Sequence, residues 1–223
     1  MQFQAYPDRA TLMAALACRI AGDLAGALAQ TGRATLSVPG GTTPGPVFDR
    51  LSGCALDWGR VAVVLNDERW VAEDSPRSNT RLLRERLLTG PAAAARLLPL
   101  RADTATPEES LDALSAAIAP HLPISVLLLG MGEDMHTASL FPGADRLAEA
   151  LSAAAPILMA LRAEAAGEAR ITLTARVLAE ARATHVLITG AAKRAALERA
   201  QGLTPEEAPI KALLENAMVH WAE

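Results

Sequence analysis

In Gly130-Met131-Gly132-Glu133-Asp134-Met135-His136-Thr137-Ala138-Ser139-Leu140-Phe141-Pro142-Gly143, a histidine follows an aspartate by two residues inside a glycine-flanked segment. An imidazole beside a carboxylate is a general base with a partner able to orient it, or to orient the water that it deprotonates. Water activation is a natural use of such a pair. The other three histidines stand elsewhere: His121 at the end of a helical pattern, His185 at the start of an apolar run, His220 near the last residue. The competing reading of His136 is a structural loop histidine.

Three more segments carry groups that suit an anion. Pro39-Gly40-Gly41-Thr42-Thr43-Pro44-Gly45-Pro46 follows an apolar run and precedes Val47, Phe48 and Leu51 at helical spacing. Its glycines let backbone N–H groups close around phosphate, its threonines add hydroxyls, and a helix N-terminus adds positive partial charge. The alternative is a plain strand-to-helix turn with Thr43 as N-cap and Pro44 at the first helical position. Asn66-Asp67-Glu68-Arg69-Trp70, with Ser78-Asn79 downstream, offers an arginine able to fork onto phosphate or carboxylate and an aspartate able to orient a base or accept from sugar hydroxyls. A solvated turn with a local Asp–Arg pair is the bland version. In Thr189-Gly190-Ala191-Ala192-Lys193-Arg194 the cations of a first helical turn oppose the helix dipole, so a ligand anion accounts for Lys193 better than helix stability does. Arg170, in Arg170-Ile171-Thr172-Leu173-Thr174, either joins the site or neutralises Glu168 at the surface.

These loops need a frame that gathers them on one edge. Apolar runs at Ala34–Val38, Val61–Leu65, Ile124–Leu129, Ile157–Leu161 and His185–Thr189 are continuous rather than alternating, the mark of strands covered on both faces and hence of a parallel sheet. Helical patterns lie between them. Leu12, Leu16, Ile20, Leu24 and Leu28 form a stripe that Gly32 can end, and Thr106-Pro107-Glu108-Glu109 is a capping box leading to Leu111, Leu114, Ile118 and Leu122. The box signature returns at Thr204–Glu207. The expected fold class is α/β: a Rossmann-like, doubly wound, mainly parallel sheet with helices on both faces, forming a single domain over residues 1–223. In such sheets ligands bind beyond the carboxyl ends of the strands, where all four segments fall.

Composition narrows the field. A net charge of -4 and seven aromatic residues leave no nucleic-acid footprint. The first residues, MQFQAYPDRA, lack a secretory pattern, and apolar stretches are broken by Ser, Pro or charge, so a cytoplasmic protein with no membrane partner is expected. Cys18 and Cys54 show no metal-ligand spacing and read as small buried hydrophobes in a reducing compartment.

Taken in order, VPGGTTP, LNDERWV with SN downstream, LLLGMGEDMHTASLFPG, RITLT and ITGAAK resemble the 6-phosphogluconolactonases within the glucosamine-6-phosphate isomerase/6-phosphogluconolactonase family, over nearly the whole chain. HTASLFPG is the most specific part, because the related deaminases differ after the histidine. The resemblance implies a fold like the glucosamine-6-phosphate deaminase and ribose-5-phosphate isomerase group. It further implies hydrolysis of 6-phospho-D-glucono-1,5-lactone to 6-phospho-D-gluconate in the oxidative pentose phosphate pathway. The partner is then a small phosphorylated sugar lactone, with no metal, organic cofactor or obligate protein partner. By the same resemblance His136 is the general base, Asp134 and Asp67 are supporting carboxylates, and Arg69 and Lys193 contact phosphate beside Gly40, Gly41, Thr42 and Thr43. Asn79, Gly130, Gly132 and Arg170 complete the expected substrate-binding set. Met135 stands where the family usually has glycine; if a positive φ is needed there, methionine costs on the order of 1 kcal/mol.

Overall fold

Four of the five apolar runs are strands of one parallel sheet. The computed structural model describes residues 1–223, the side chain of Ala165 apart. In it Ala34–Val38 is β2 and Val61–Leu65 is β3, each buried along its length, while β6 (Val126–Gly130) and β9 (Ala183–Thr189) lie within two residues of the expected runs. Three further strands complete the sheet: β1 (Gln2–Ala5), β5 (Arg96–Leu98) and β10 (Ala217–Ala222). None of the three reads clearly in the sequence, because β1 is an exposed edge and β5 is only three residues long.

Every neighbour pair in the order β1-β10-β9-β6-β2-β3-β5 is parallel. The chain leaves β2 toward β3 and β5 on one side, then returns to β6, β9 and β10 on the other. With right-handed crossovers this reversal puts helices on both faces and opens a crevice between the carboxyl ends of β2 and β6.

Ile157–Leu161 departs from expectation. It forms β7 (Leu158–Leu161), which pairs antiparallel with β8 (Arg170–Leu173), itself antiparallel to β4 (Asp67–Arg69), in a separate three-stranded sheet. Burial on both faces does not encode direction, and the connection from β7 to β8 is too short for a parallel crossover.

Helix α1 (Arg9–Thr31) follows the expected stripe: Leu12, Leu16, Ile20 and Leu24 are fully buried, Asp8 caps Thr11 N–H, and Gly32 ends it in the left-handed region at φ 73°. By length and composition this helix could cross a membrane, but its apolar stripe is spent on β2, β6, β10 and α2 (Gly45–Ser52). Cys18 is exposed and Cys54 half-buried, against expectation, because Cys18 falls off the stripe that Leu16, Ala17 and Ile20 define. The first capping box forms as read and leads through a 3-10 turn into α4 (Leu111–Ile118). The second makes its hydrogen bonds, Thr204 N–H to Glu207 Oε2 at 3.0 Å, yet closes only a turn before a 3-10 segment at Pro209–Leu213. The proline after Ala208 keeps that residue out of the helical region, at φ -139° and ψ 80°, which blocks a regular helix. The remaining helices are α3 (Asn79–Arg86), α5 (Leu147–Leu151), α6 (Ala175–Ala179) and α7 (Ala191–Ala200).

Away from the crevice, a chain of polar groups joins α1 to β9 and β10. Tyr6 Oη lies 2.8 Å from His220 Nδ1, His220 Nε2 3.1 Å from His185 Nδ1, and His185 Nε2 2.9 Å from Asp23 Oδ2. Burial pushes the His185 imidazole down, with the Asp23 hydrogen bond opposing, and burial together with neighbouring His185 pushes His220 down to about 4. Unfolded, both return toward the ordinary value of 6.5, so the unfolded chain binds more protons than the folded one between pH 6.5 and about 4. Stability is therefore full above pH 6.5 and is lost as pH falls through that window. The melting temperature of the wild-type protein should drop between pH 7 and pH 5, and the drop should shrink in His220→Phe; equal drops in both would place the acid sensitivity elsewhere.

Candidate active site

Where β2 and β6 end, a cavity of about 360 Å³ is lined by Gly40, Gly41, Thr43, Asp67, Arg69, Asn79, Gly130, Gly132, His136, Phe141, Arg170 and Lys193 among others. Of the residues singled out in the sequence, only Asp134 and Thr42 are absent from this lining. Asp134 stands behind His136, and Thr42 faces an adjoining cavity that Thr43 shares.

The loop after β2 is built as an anion cradle. The N–H groups of Gly40, Gly41, Thr42 and Thr43 meet no protein acceptor among the described residues. Pro44, not Thr43, is the N-cap of α2, and no side chain caps that helix, so the plain-turn reading fails in its details. Gly40 is required by close approach: a Cβ there would fall 1.9 Å from Asn79 Oδ1. Asn79 in turn donates from Nδ2 to Asp67 O at 3.0 Å. Lys193, in the first turn of α7, is half-buried and has no ion-pair partner among the described residues. Arg194 points away, over the rings of Trp221 and Phe3.

After β6 the chain folds back on itself, with Gly132 N–H donating to His136 O at 3.0 Å and Met135 N–H to Gly132 O at 3.1 Å. This reversal needs left-handed backbone at Met135, φ 67°, where the family usually has glycine, and again at Ala138, φ 49°. Ile210 N–H holds the Met135 carbonyl at 3.2 Å, and Thr137 Oγ1 donates to Gly130 O at 2.8 Å, which fix the strained turn from both sides. The result is a His136 Nδ1 to Asp134 Oδ1 contact of 2.5 Å, with the imidazole stacked on Phe141 at 4.2 Å between centroids. Its Nε2 has no protein partner among the described residues.

β4 and β8 bring in the remaining charges. Asp67 is buried and accepts from Ser139 Oγ at 2.5 Å, with Arg170 Nη1 3.8 Å away. Burial raises the Asp67 carboxyl above the usual carboxylate range, opposed by the Ser139 hydrogen bond and by the charges of Arg170 and His136. Burial likewise draws Arg170 down, and Asp67 opposes it. The local Asp67–Arg69 pair considered from sequence does not form; Arg69 Nη1 donates instead to Arg77 O at 3.0 Å. Arg170 lines the cavity and also pairs with Glu168 at 3.4 Å, but that pair is largely buried rather than at the surface.

Three residues went unread as site-forming. Glu68 is buried and accepts from Arg69, Asn79 and Thr80 N–H groups and from the Ser78 and Thr80 hydroxyls, which ties β4 to the start of α3. Ser139 bonds to Asp67, far away in the chain, so no local pattern announces it; Phe141 stacks on His136 close by in sequence, a contact that the reversal of the loop decides.

A doubly wound sheet with an anion cradle, a lone lysine and a histidine–aspartate pair at its switch point defines an α/β enzyme of phosphorylated small molecules. Residues 7–221 match the family model described as Glucosamine-6-phosphate isomerases/6-phosphogluconolactonase. The chain is 42% identical to the 6-phosphogluconolactonase of Mesorhizobium japonicum over 226 residues, covering 99% of this chain and 94% of that one. A crystal structure of a 6-phosphogluconolactonase from Shewanella baltica superposes with a TM-score of 0.96 at 33% identity, covering 100% of this chain and 98% of the other. A monomeric glucosamine-6-phosphate deaminase shares the fold, with a TM-score of 0.81 at 17% identity over 100% of this chain and 98% of that one. The chain belongs to the glucosamine-6-phosphate isomerase/6-phosphogluconolactonase family.

The Gly132 position offers a local check. A Cβ there would lie 2.3 Å from both Asp134 Oδ1 and His136 Nδ1. Gly132→Ala should therefore separate the pair and lower kcat by about tenfold or more, while the far-ultraviolet circular dichroism stays that of the wild type. Undiminished kcat would show that the pair is not needed as placed.

Proposed function

We propose that this protein hydrolyses 6-phospho-D-glucono-1,5-lactone to 6-phospho-D-gluconate, the lactone-opening step of the oxidative pentose phosphate pathway, with residues 1–223 acting as one lactonase domain. The observation that carries the reading is the unpartnered Nε2 of His136 in the same cavity as an N–H cradle and an unpaired lysine. Similarity to relatives named 6-phosphogluconolactonase supplies the substrate.

The chemistry follows from the geometry. With Nδ1 bonded to the Asp134 carboxylate, the imidazole carries its proton there and keeps a lone pair at Nε2. Phosphate occupies the cradle of Gly40, Gly41, Thr42 and Thr43, with Lys193 and Arg69 as its cations, and this places the lactone carbonyl against His136. His136 takes a proton from water as the water oxygen bonds to the carbonyl carbon. The tetrahedral alkoxide then collapses, the bond from that carbon to the ring oxygen breaks, and the ring oxygen leaves as a hydroxyl carrying the proton from His136. The carboxylic acid so formed loses its own proton to water. Asp67 keeps Ser139 and Arg170 in position, and Asn79, Gly130 and Gly132 shape the wall around the sugar.

Freshly generated lactone, coupled to 6-phosphogluconate dehydrogenase and corrected for spontaneous opening, gives the direct assay. Acceleration by the wild type should fall by about 10²- to 10⁴-fold in His136→Asn. Ammonia release from glucosamine 6-phosphate without lactone turnover would overturn the reading.

Arg69→Ala and Lys193→Ala should each weaken 6-phosphogluconate binding by about 1.5–3 kcal/mol, the range for a charge-assisted hydrogen bond. Calorimetric titration with unchanged affinity in both variants would remove the phosphate from this end of the cavity.

A further inference from the structure

Glu168, just before β8, touches the active-site cations without lining the cavity itself. Its Oε1 lies 3.4 Å from Arg170 Nη2 and 4.0 Å from Arg69 Nε, and its Oε2 accepts from Arg77 Nη2. The carboxylate is largely buried, at 15% side-chain exposure, so solvent screens it little. Three atoms of this cluster, Arg69 Nε, Glu168 Oε1 and Arg170 Nε, are buried and lack a hydrogen-bond partner among the described residues. Each arginine has a further anchor: Arg69 Nη1 donates to Arg77 O at 3.0 Å and Arg170 Nη2 to Ala166 O at 3.1 Å. What Glu168 contributes is charge, drawing part of the positive potential of Arg170, the nearer of the two guanidiniums, out of the cavity from behind.

That charge stands at the reacting end. The Arg170 guanidinium lies 5.8 Å from the centre of the Phe141 ring, which is itself stacked on His136. The group next to His136 changes charge during the proposed reaction: the lactone carbonyl is neutral, whereas the acid formed from it is a carboxylate. An uncompensated guanidinium there holds the product more tightly than the substrate and slows its departure.

We propose that Glu168 is a specificity-determining residue that separates lactone from acid, sharing Arg170 from outside the cavity so that the newly formed carboxylate is weakly held and released. This rests on the lactonase reading above and adds the control of product retention. Glu168 touches neither ligand nor reacting atoms, and acts through Arg170.

The test is calorimetric titration of wild type and Glu168→Gln with 6-phosphogluconate, which carries the carboxylate, and with glucose 6-phosphate, which does not. In Glu168→Gln the affinity for 6-phosphogluconate should rise by about tenfold, and that for glucose 6-phosphate should change by no more than about twofold. In turnover the same variant should show product inhibition at correspondingly lower 6-phosphogluconate. Unchanged or weaker 6-phosphogluconate binding, or an equal gain for both ligands, overturns the proposal, since a merely structural strut would loosen both. Failure of the lactonase reading shows separately, as wild-type protein that leaves the lactone at its spontaneous rate.

Discussion

The β2–β6 ladder stops at Ser37 opposite Leu127, although β6 continues beside β9 as far as Gly130. The two strands part there, and the Leu128 carbonyl on the opened side must be satisfied some other way. The amide of Asn66, fully buried just past the end of β3, does this: its Nδ2 donates to Leu128 O at 2.8 Å and its Oδ1 accepts from Ser37 Oγ at 2.7 Å. Its backbone joins the same knot, with N–H to Val38 O at 2.8 Å and its carbonyl accepting from Leu173 N–H at 2.9 Å. One residue, through side chain and backbone together, thus ties β2, β3, β6 and β8 at the switch point. The crevice opens above it, and the chain leaves it directly into Asp67, Glu68 and Arg69.

Because that knot fixes where β4 begins, the small antiparallel sheet becomes the second wall of the site. β4 supplies Asp67 and Arg69, and β8 supplies Arg170 opposite Arg69 in register. The loop after β6 meets the small sheet through buried polar contacts, Ser139 Oγ with Asp67 and Ser139 N–H with Thr172 Oγ1 at 3.3 Å. Such contacts are costly to break once water is excluded, so they hold the loop carrying His136 against the wall carrying the arginines. The left-handed backbone at Met135 and Ala138 persists under the same restraint.

Charge in the site is divided by function. The cradle after β2 and Lys193 have no protein anion to answer them among the described residues, which leaves their potential for a ligand. On the other wall, Arg77 and Arg170 are met by Glu168 and Asp67, so their charge is largely answered within the protein. A molecule with a permanent anion at one end and a group that gains charge during reaction at the other fits this asymmetry.

Much of this was written locally. Continuous apolar runs gave β2 and β3 their bounds, the four-residue stripe gave α1, and glycine, histidine and lysine at strand ends marked the loops that line the cavity, because strand burial, helix periodicity and turn chemistry act over a few neighbouring residues. A left-handed backbone at Met135 followed from the motif only as a condition, and the fold decided it. The direction of β7, the turn at Thr204–Glu207, the exposure of Cys18, the Asn66 knot and the Glu168 cluster were decided only by the tertiary structure. Each depends on groups far apart in the chain, Asn66 with Leu128 and Arg69 with Glu168, and a buried polar atom takes whichever partner the packed fold brings within reach.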